Sequence, residues 1–140
     1  MSERTNAPGQ PVGELLTGWT PPPFPPRETL TGRFCRLEPL DANAAHADQL
    51  WEANSHDKTG AMWTYLAAGP FASFAAYRAW VEESSQSADP LYFAICETAG
   101  GRAVGTGSLM RIDPKNGAIE IGWLAYSPLL QKTPTATEAI

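Results

Sequence analysis

The sequence predicts an α+β domain with a mainly antiparallel sheet, on three observations. Two segments with helical spacing fill the first half, three strand-like runs follow them, and residues suited to tight turns join those strands. The helical segments fall at about 42–54 and 72–86. The strand runs are Leu91–Glu97, Ala103–Ile112 and Ala118–Ser127, with Gly100-Gly101 and Asn116-Gly117 in the turns between them. Glycine accepts the positive φ that such turns require. A chain of 140 residues can bury one hydrophobic core and hardly two.

Residues 1–27 read as a Pro-rich extended arm and residues 28–140 as the domain. The run Pro21-Pro22-Pro23-Phe24-Pro25-Pro26 favours polyproline geometry and cannot join a central strand. Such an arm lies across the domain, with Trp19 and Phe24 as apolar anchors. Arg33–Leu40 is the first strand signal, with Pro39 ending its ladder. Asp41 follows as an N-cap for the first helix, whose apolar face is Ala44, Ala45, Ala47, Leu50 and Trp51. Ala61–Leu66 is an apolar knot that reads as a helical turn. In the second helix Phe74, Tyr77, Trp80 and Val81 make one stripe of a 3.6-residue period. These two helices therefore sit between the first and second strands. Gly105-Thr106-Gly107 precedes no helix and so reads as a strand bulge rather than a nucleotide fingerprint.

Composition excludes several classes. The net charge is −5 and no basic run occurs, which argues against a nucleic-acid surface, since neutralising phosphate needs clustered Lys and Arg. No apolar stretch approaches the roughly 20 residues that cross a bilayer. Residues 1–6 lack the apolar core of a signal peptide. A cytoplasmic location is expected, with Cys35 and Cys96 as free, mostly buried thiols. His46 and His56 are expected to be ordinary surface histidines, and no metal site is expected.

The segment from Ile119 to Ile140 carries the chemistry. It reads as a strand, a break at Pro128, a short polar loop and a helix start, with Thr133 as cap and Pro134 at the first helical position. Unpaired N–H groups and the positive dipole end make such a junction a site for an anion of the pyrophosphate kind. On its own this geometry is generic.

The Arg33–Leu40 strand running into Asp41, the Trp63-Thr64-Tyr65-Leu66 knot and the Val104-Gly105 strand make up a pattern. Its strongest part is Glu120-Ile121-Gly122-Trp123, then Pro128, then Thr137-Glu138-Ala139. Taken together they resemble the GNAT superfamily of acetyl-CoA-dependent N-acetyltransferases, and within it the ribosomal-protein acetyltransferases of the RimJ/RimL type. The loop that wraps the cofactor pyrophosphate in that family reads Arg/Gln-x-x-Gly-x-Gly/Ala. Here Gln131 and Ala136 keep its ends, while Pro134 replaces the central glycine and Lys132 another.

The resemblance implies direct transfer of an acetyl group from acetyl-CoA to a primary amine, either a protein N-terminus or a small molecule. It assigns Glu120 as general base, which takes the amine proton, while its position on the strand alone fits a solvent-facing residue equally well. The backbone around Ala125 and Tyr126 would meet the oxyanion and pair with the pantetheine arm. Gln131, Lys132, Thr133, Thr135, Ala136 and Thr137 would hold the pyrophosphate, with the Lys132 ammonium and the Thr133 hydroxyl replacing donors lost at Pro134. Trp63 and Tyr65 would border the acceptor, or else pack under the sheet. The resemblance also implies that the C-terminal half of the fold is missing, the chain stopping in the first turns of the cofactor helix. The altered loop and the missing half leave a second reading open, a degenerate domain acting as a binding or dimerisation module. In that case the open edge of the third strand pairs with a second copy.

Overall fold

Side-chain alternation along one central strand decides the architecture. The computed structural model describes residues 4–140. In chain order they form β1 (Leu30–Thr31), β2 (Cys35–Pro39), α1 (His46–Asn54), α2 (Phe74–Ser85), β3 (Leu91–Glu97), β4 (Ala103–Asp113), β5 (Ala118–Tyr126) and α3 (Pro134–Glu138), with short 3₁₀ turns at Ala61–Trp63 and Pro114–Asn116. The strands make one antiparallel sheet in the order β1-β2-β3-β4-β5. Leu91 to Cys96 of β3 are all buried, so both faces of the sheet are covered at its centre. Among the described residues no helix is long and apolar enough to cross a membrane.

One face carries Tyr92, Ala94 and Cys96, packed under Ala47 and Leu50 of α1 and Tyr77 and Val81 of α2. The Ser73 hydroxyl caps α2 by accepting from the Ala76 N–H. Ile95 and Val104 point to the other face, where Cys35, Leu130, Ala136 of α3 and Ala139 just after it cover them. The two cysteines lie on adjacent strands but on opposite faces. They are free and buried, and no disulfide can join them in this geometry.

Three expectations change. Helix α1 begins at His46, not after Asp41, and its start has no side-chain cap. Asp41 instead accepts from the Asn43 N–H in a tight turn, which holds residues 42–45 out of the helix and leaves Ala44 and Ala45 exposed. His46 is not a surface residue: it is 5% exposed. Of the two arm anchors, Trp19 lies over Gly117, where an added Cβ would sit 2.6 Å from its ring. Phe24 stays about half exposed, and the Arg27 guanidinium secures the arm by donating to the Ser87 carbonyl at 2.7 Å.

Two bulges shape the β4–β5 ribbon. Between Met110↔Glu120 and Asp113↔Ala118 the β4 strand has one extra residue, and Arg111 there has φ +47°. The Asp89 carboxylate pins this bulge by accepting from the Arg111 and Ile112 N–H groups. The second bulge is on β5, where Trp123 and Leu124 stand opposite Gly107, and Trp123 has φ +52°. The Gly105-Thr106-Gly107 stretch thus lies beside a bulge whose extra residue is on the partner strand.

Candidate active site

An open cleft lies where β5 ends and α3 begins, lined by Tyr126, Gln131, Lys132, Thr133, Pro134, Ala136 and Thr137. The loop before α3 is anchored by Leu130, fully buried, which packs onto Gly105 so closely that a Cβ there would lie 2.5 Å from Leu130 Cδ2. The loop turns back on Ser127, whose carbonyl accepts from both the Leu130 and Gln131 N–H groups. Thr133 then caps α3 with its hydroxyl oxygen, accepting from the Ala136 N–H, and Pro134 takes the first helical position as expected.

Lys132 occupies the left-handed region at φ +61°. That conformation disfavours any residue with a Cβ by about 1–2 kcal/mol, which explains why glycine suits this position in the resembling loop. Lys132→Gly is therefore expected to leave stability unchanged or raise it by about 0.5 kcal/mol, once the greater unfolded-state freedom of glycine is offset. Lys132→Val is expected to lower it by more than about 1 kcal/mol. Urea unfolding of the three proteins measures both.

Several of the expected site residues turn out to be occupied. The Thr133 hydroxyl donates its proton to the Leu130 carbonyl at 2.6 Å, so it cannot replace a phosphate donor. Thr135 faces away from the cleft, with its hydroxyl toward the Phe34 carbonyl. The Tyr126 phenol donates to the Ala136 carbonyl at 3.2 Å and ties β5 to α3, and its partial burial raises its pKa. Ser127 N–H is spent on Val104, so by alternation Ala125 faces β4 and Tyr126 faces the open edge. The Tyr126 carbonyl on that edge already accepts from the Gln131 side chain at 2.8 Å. What remains for an anion is the Lys132 ammonium, in no ion pair among the described residues, and the backbone N–H groups of Lys132, Thr133 and Thr135, which have no acceptor there.

Glu120 stands on the helix-bearing face of β5, opposite Met110, beyond the cover of the helices. It is about half exposed and meets the Arg111 guanidinium at 3.4 Å. The two aromatic candidates separate. Trp63 is 9% exposed and packs edge-on to Phe71 at 5.5 Å, inside the core, where Gly69 makes room for it. Part of its ring also lines a small cleft with Trp51, Asn54 and Pro70. Tyr65, by contrast, is 98% exposed.

A cluster that the sequence did not reveal joins β2 to α1. Glu38, His46 and Cys96 bring their polar atoms within 4.8 Å of one another. His46 Nδ1 accepts the Asp41 N–H, so the ring proton sits on Nε2 and is donated to Glu38 at 2.8 Å. The His46 contact, helped by Arg36, holds the Glu38 carboxyl below its usual range. Burial pushes the Cys96 thiol up to about 12. A cation here would have to displace the Nε2 proton from a ring whose other nitrogen is committed, next to a protonated thiol. The arrangement suits a structural tie, not a metal.

A family model of the acetyltransferase (GNAT) domain matches residues 35–140. No curated protein matches the chain. Among solved structures, it is similar to a GCN5-related N-acetyltransferase from Brucella melitensis, with 44% identity and a TM-score of 0.83 over 89% of this chain and 56% of that one. Another, described as a probable GNAT-family acetyltransferase from Chromobacterium violaceum ATCC 12472, gives 30% identity and a TM-score of 0.79 over 96% of this chain and 66% of that one. A GNAT-family acetyltransferase from Bacillus anthracis, at 15% identity and a TM-score of 0.62, shares the fold, with 79% of this chain and 60% of that one covered. The chain spans less than two thirds of the length of each.

Proposed function

Since the chain belongs to the acetyltransferase (GNAT) domain family, we propose that it serves acetyl-CoA-dependent transfer of an acetyl group to a primary amine, either a protein N-terminus or a small molecule. The motif from Glu120 to Ala139 supports placing it in the RimJ/RimL-type branch. The observation that carries the proposal is the cleft between β5 and α3, lined by Lys132 and Thr133, whose ammonium and two backbone N–H groups have no partner among the described residues. Those donors suit a pyrophosphate. Glu120 takes the proton of the attacking amine as the new N–C bond forms and the thioester C–S bond breaks. The sulfur leaves as a thiolate, which then takes up a proton.

Calorimetric titration with acetyl-CoA tests this. Saturable binding is expected, with about 2.7 kcal/mol of added stability at a hundredfold excess over Kd. In Lys132→Ala the affinity should fall roughly tenfold, the loss of one charged contact. Absence of both heat and thermal stabilisation at millimolar acetyl-CoA would remove the reading for this chain.

One observation favours the second reading, a dimerisation module. The edge strand β5 exposes Ile119, Ile121 and Leu124 by 38–49%. Sedimentation over a range of concentrations measures it: a concentration-dependent dimer supports it, and a monomer throughout removes it.

A further inference from the structure

The strongest unexplained contact in the molecule is made by Glu138, which no step of the proposed reaction uses. Its carboxylate accepts three consecutive backbone N–H groups, from Arg33 at 2.8 Å, Phe34 at 2.6 Å and Cys35 at 2.8 Å. These amides converge as the chain enters β2, forming a small anion-binding nest more than a hundred positions away in sequence. Gly32 completes the nest, because an added Cβ would lie 2.5 Å from Glu138 Oε2. The contact with Phe34 leads in holding the Glu138 carboxyl below its usual range, so the nest holds it as the carboxylate.

Helix α3 is five residues long and cannot hold itself together, since isolated helices of that length do not form in water. Its position depends on what it touches. The Thr133 cap acts within the loop, the Tyr126 phenol pulls one side toward β5, and Ala136 and Ala139 add small apolar contacts. Among the described residues, Glu138, helped by the longer Thr135 contact, is what ties α3 by hydrogen bonds to β2 and its approach. Charge-assisted bonds of this kind are the strong ones.

We propose that Glu138 is a positioning residue for the cofactor cleft: by seating its carboxylate in the Arg33–Cys35 nest it fixes α3, and with it the Lys132–Thr137 donors. This rests on the reading of the cleft as the acetyl-CoA site, but its mechanical half is separable from that reading. Glu138 touches no cofactor in this account. It acts from the far side of α3.

Two variants test it from opposite sides. Glu138→Gln places an amide NH₂ against N–H donors, and Gly32→Ala leaves Glu138 intact while filling the space its carboxylate needs. Amide hydrogen exchange and acetyl-CoA binding are measured on the full chain. In both variants the amides of Phe34, Cys35, Ala136 and Thr137 should exchange at least tenfold faster, with β3 and β4 protection unchanged. Acetyl-CoA Kd should rise at least tenfold, and Glu138→Asp should recover part of both effects. Unchanged exchange at Ala136 and Thr137 in Glu138→Gln and Gly32→Ala overturns the proposal, as does an unchanged Kd where the wild-type chain binds. If the wild-type chain binds no acetyl-CoA, the proposed function falls, and the exchange at Ala136 and Thr137 still decides whether the clamp exists. Should Glu138→Gln fail to fold, Gly32→Ala carries the same comparison.

Discussion

Glu120→Gln is expected to lower turnover by about 10²–10³-fold while leaving acetyl-CoA affinity within about twofold. The two effects separate because Glu120 lies on the helix-bearing face of β5 and is not among the residues that line the β5–α3 cleft. A glutamine keeps the shape but cannot take the amine proton. Its pairing with Arg111 is solvent-exposed, and such a pair contributes only about 0–1 kcal/mol, so stability should hardly move. Steady-state kinetics on the protein with an amine acceptor, beside calorimetry with acetyl-CoA, measures the split. Equal losses in turnover and affinity would place Glu120 in cofactor binding, and no loss in either would return it to the role of a solvent-facing strand residue.

Tyr77→Ala is expected to lower folding stability by about 3–5 kcal/mol, a large part of the 5–15 kcal/mol of a typical domain. The ring is 1% exposed and lies among Trp51 at 5.8 Å, Phe71 at 5.2 Å and Trp80 at 5.8 Å. Trp80 continues the contact to Tyr92 on the sheet, and Tyr92 meets Trp123 in the β5 bulge. Removing the central ring leaves a cavity that its three stiff aromatic neighbours cannot close. Urea denaturation should show a lower midpoint with an unchanged slope, while Tyr77→Phe stays much closer to wild type. A loss below about 1 kcal/mol in Tyr77→Ala would mean that the cluster repacks.

The elements whose pattern is local were readable from the sequence. Leu91–Glu97 is a strand because it is apolar through Cys96 and rich in aromatic and β-branched residues (Tyr92, Phe93, Ile95), and the structure gives the same limits. Thr133-Pro134 at the start of α3 is likewise fixed by chemistry within three residues. What the sequence hid depends on distant partners. His46 looks like any helix histidine until β2 brings Glu38 beneath it. Asp41 resembles a helix cap, but its own turn with Asn43 competes and wins. Thr135 and Thr137 are two apart on α3, so one faces the cleft and the other the Phe34 carbonyl, a division that spacing allows but cannot assign. Glu138 was visible only as a letter in a motif, because the amides it binds lie at the opposite end of the domain in sequence. The left-handed Lys132 had one signal, a lysine where the resembling loop carries glycine.

The central claim is that the Gln131–Thr137 loop binds the acetyl-CoA pyrophosphate. Amide chemical-shift mapping during a titration of the full chain with acetyl-CoA tests it most directly. The largest shifts are expected at Lys132, Thr133, Thr135 and Tyr126, saturating together with one Kd. Shifts that leave these amides unmoved, or that gather around Glu38 and His46 on the opposite side of the domain, would contradict the account.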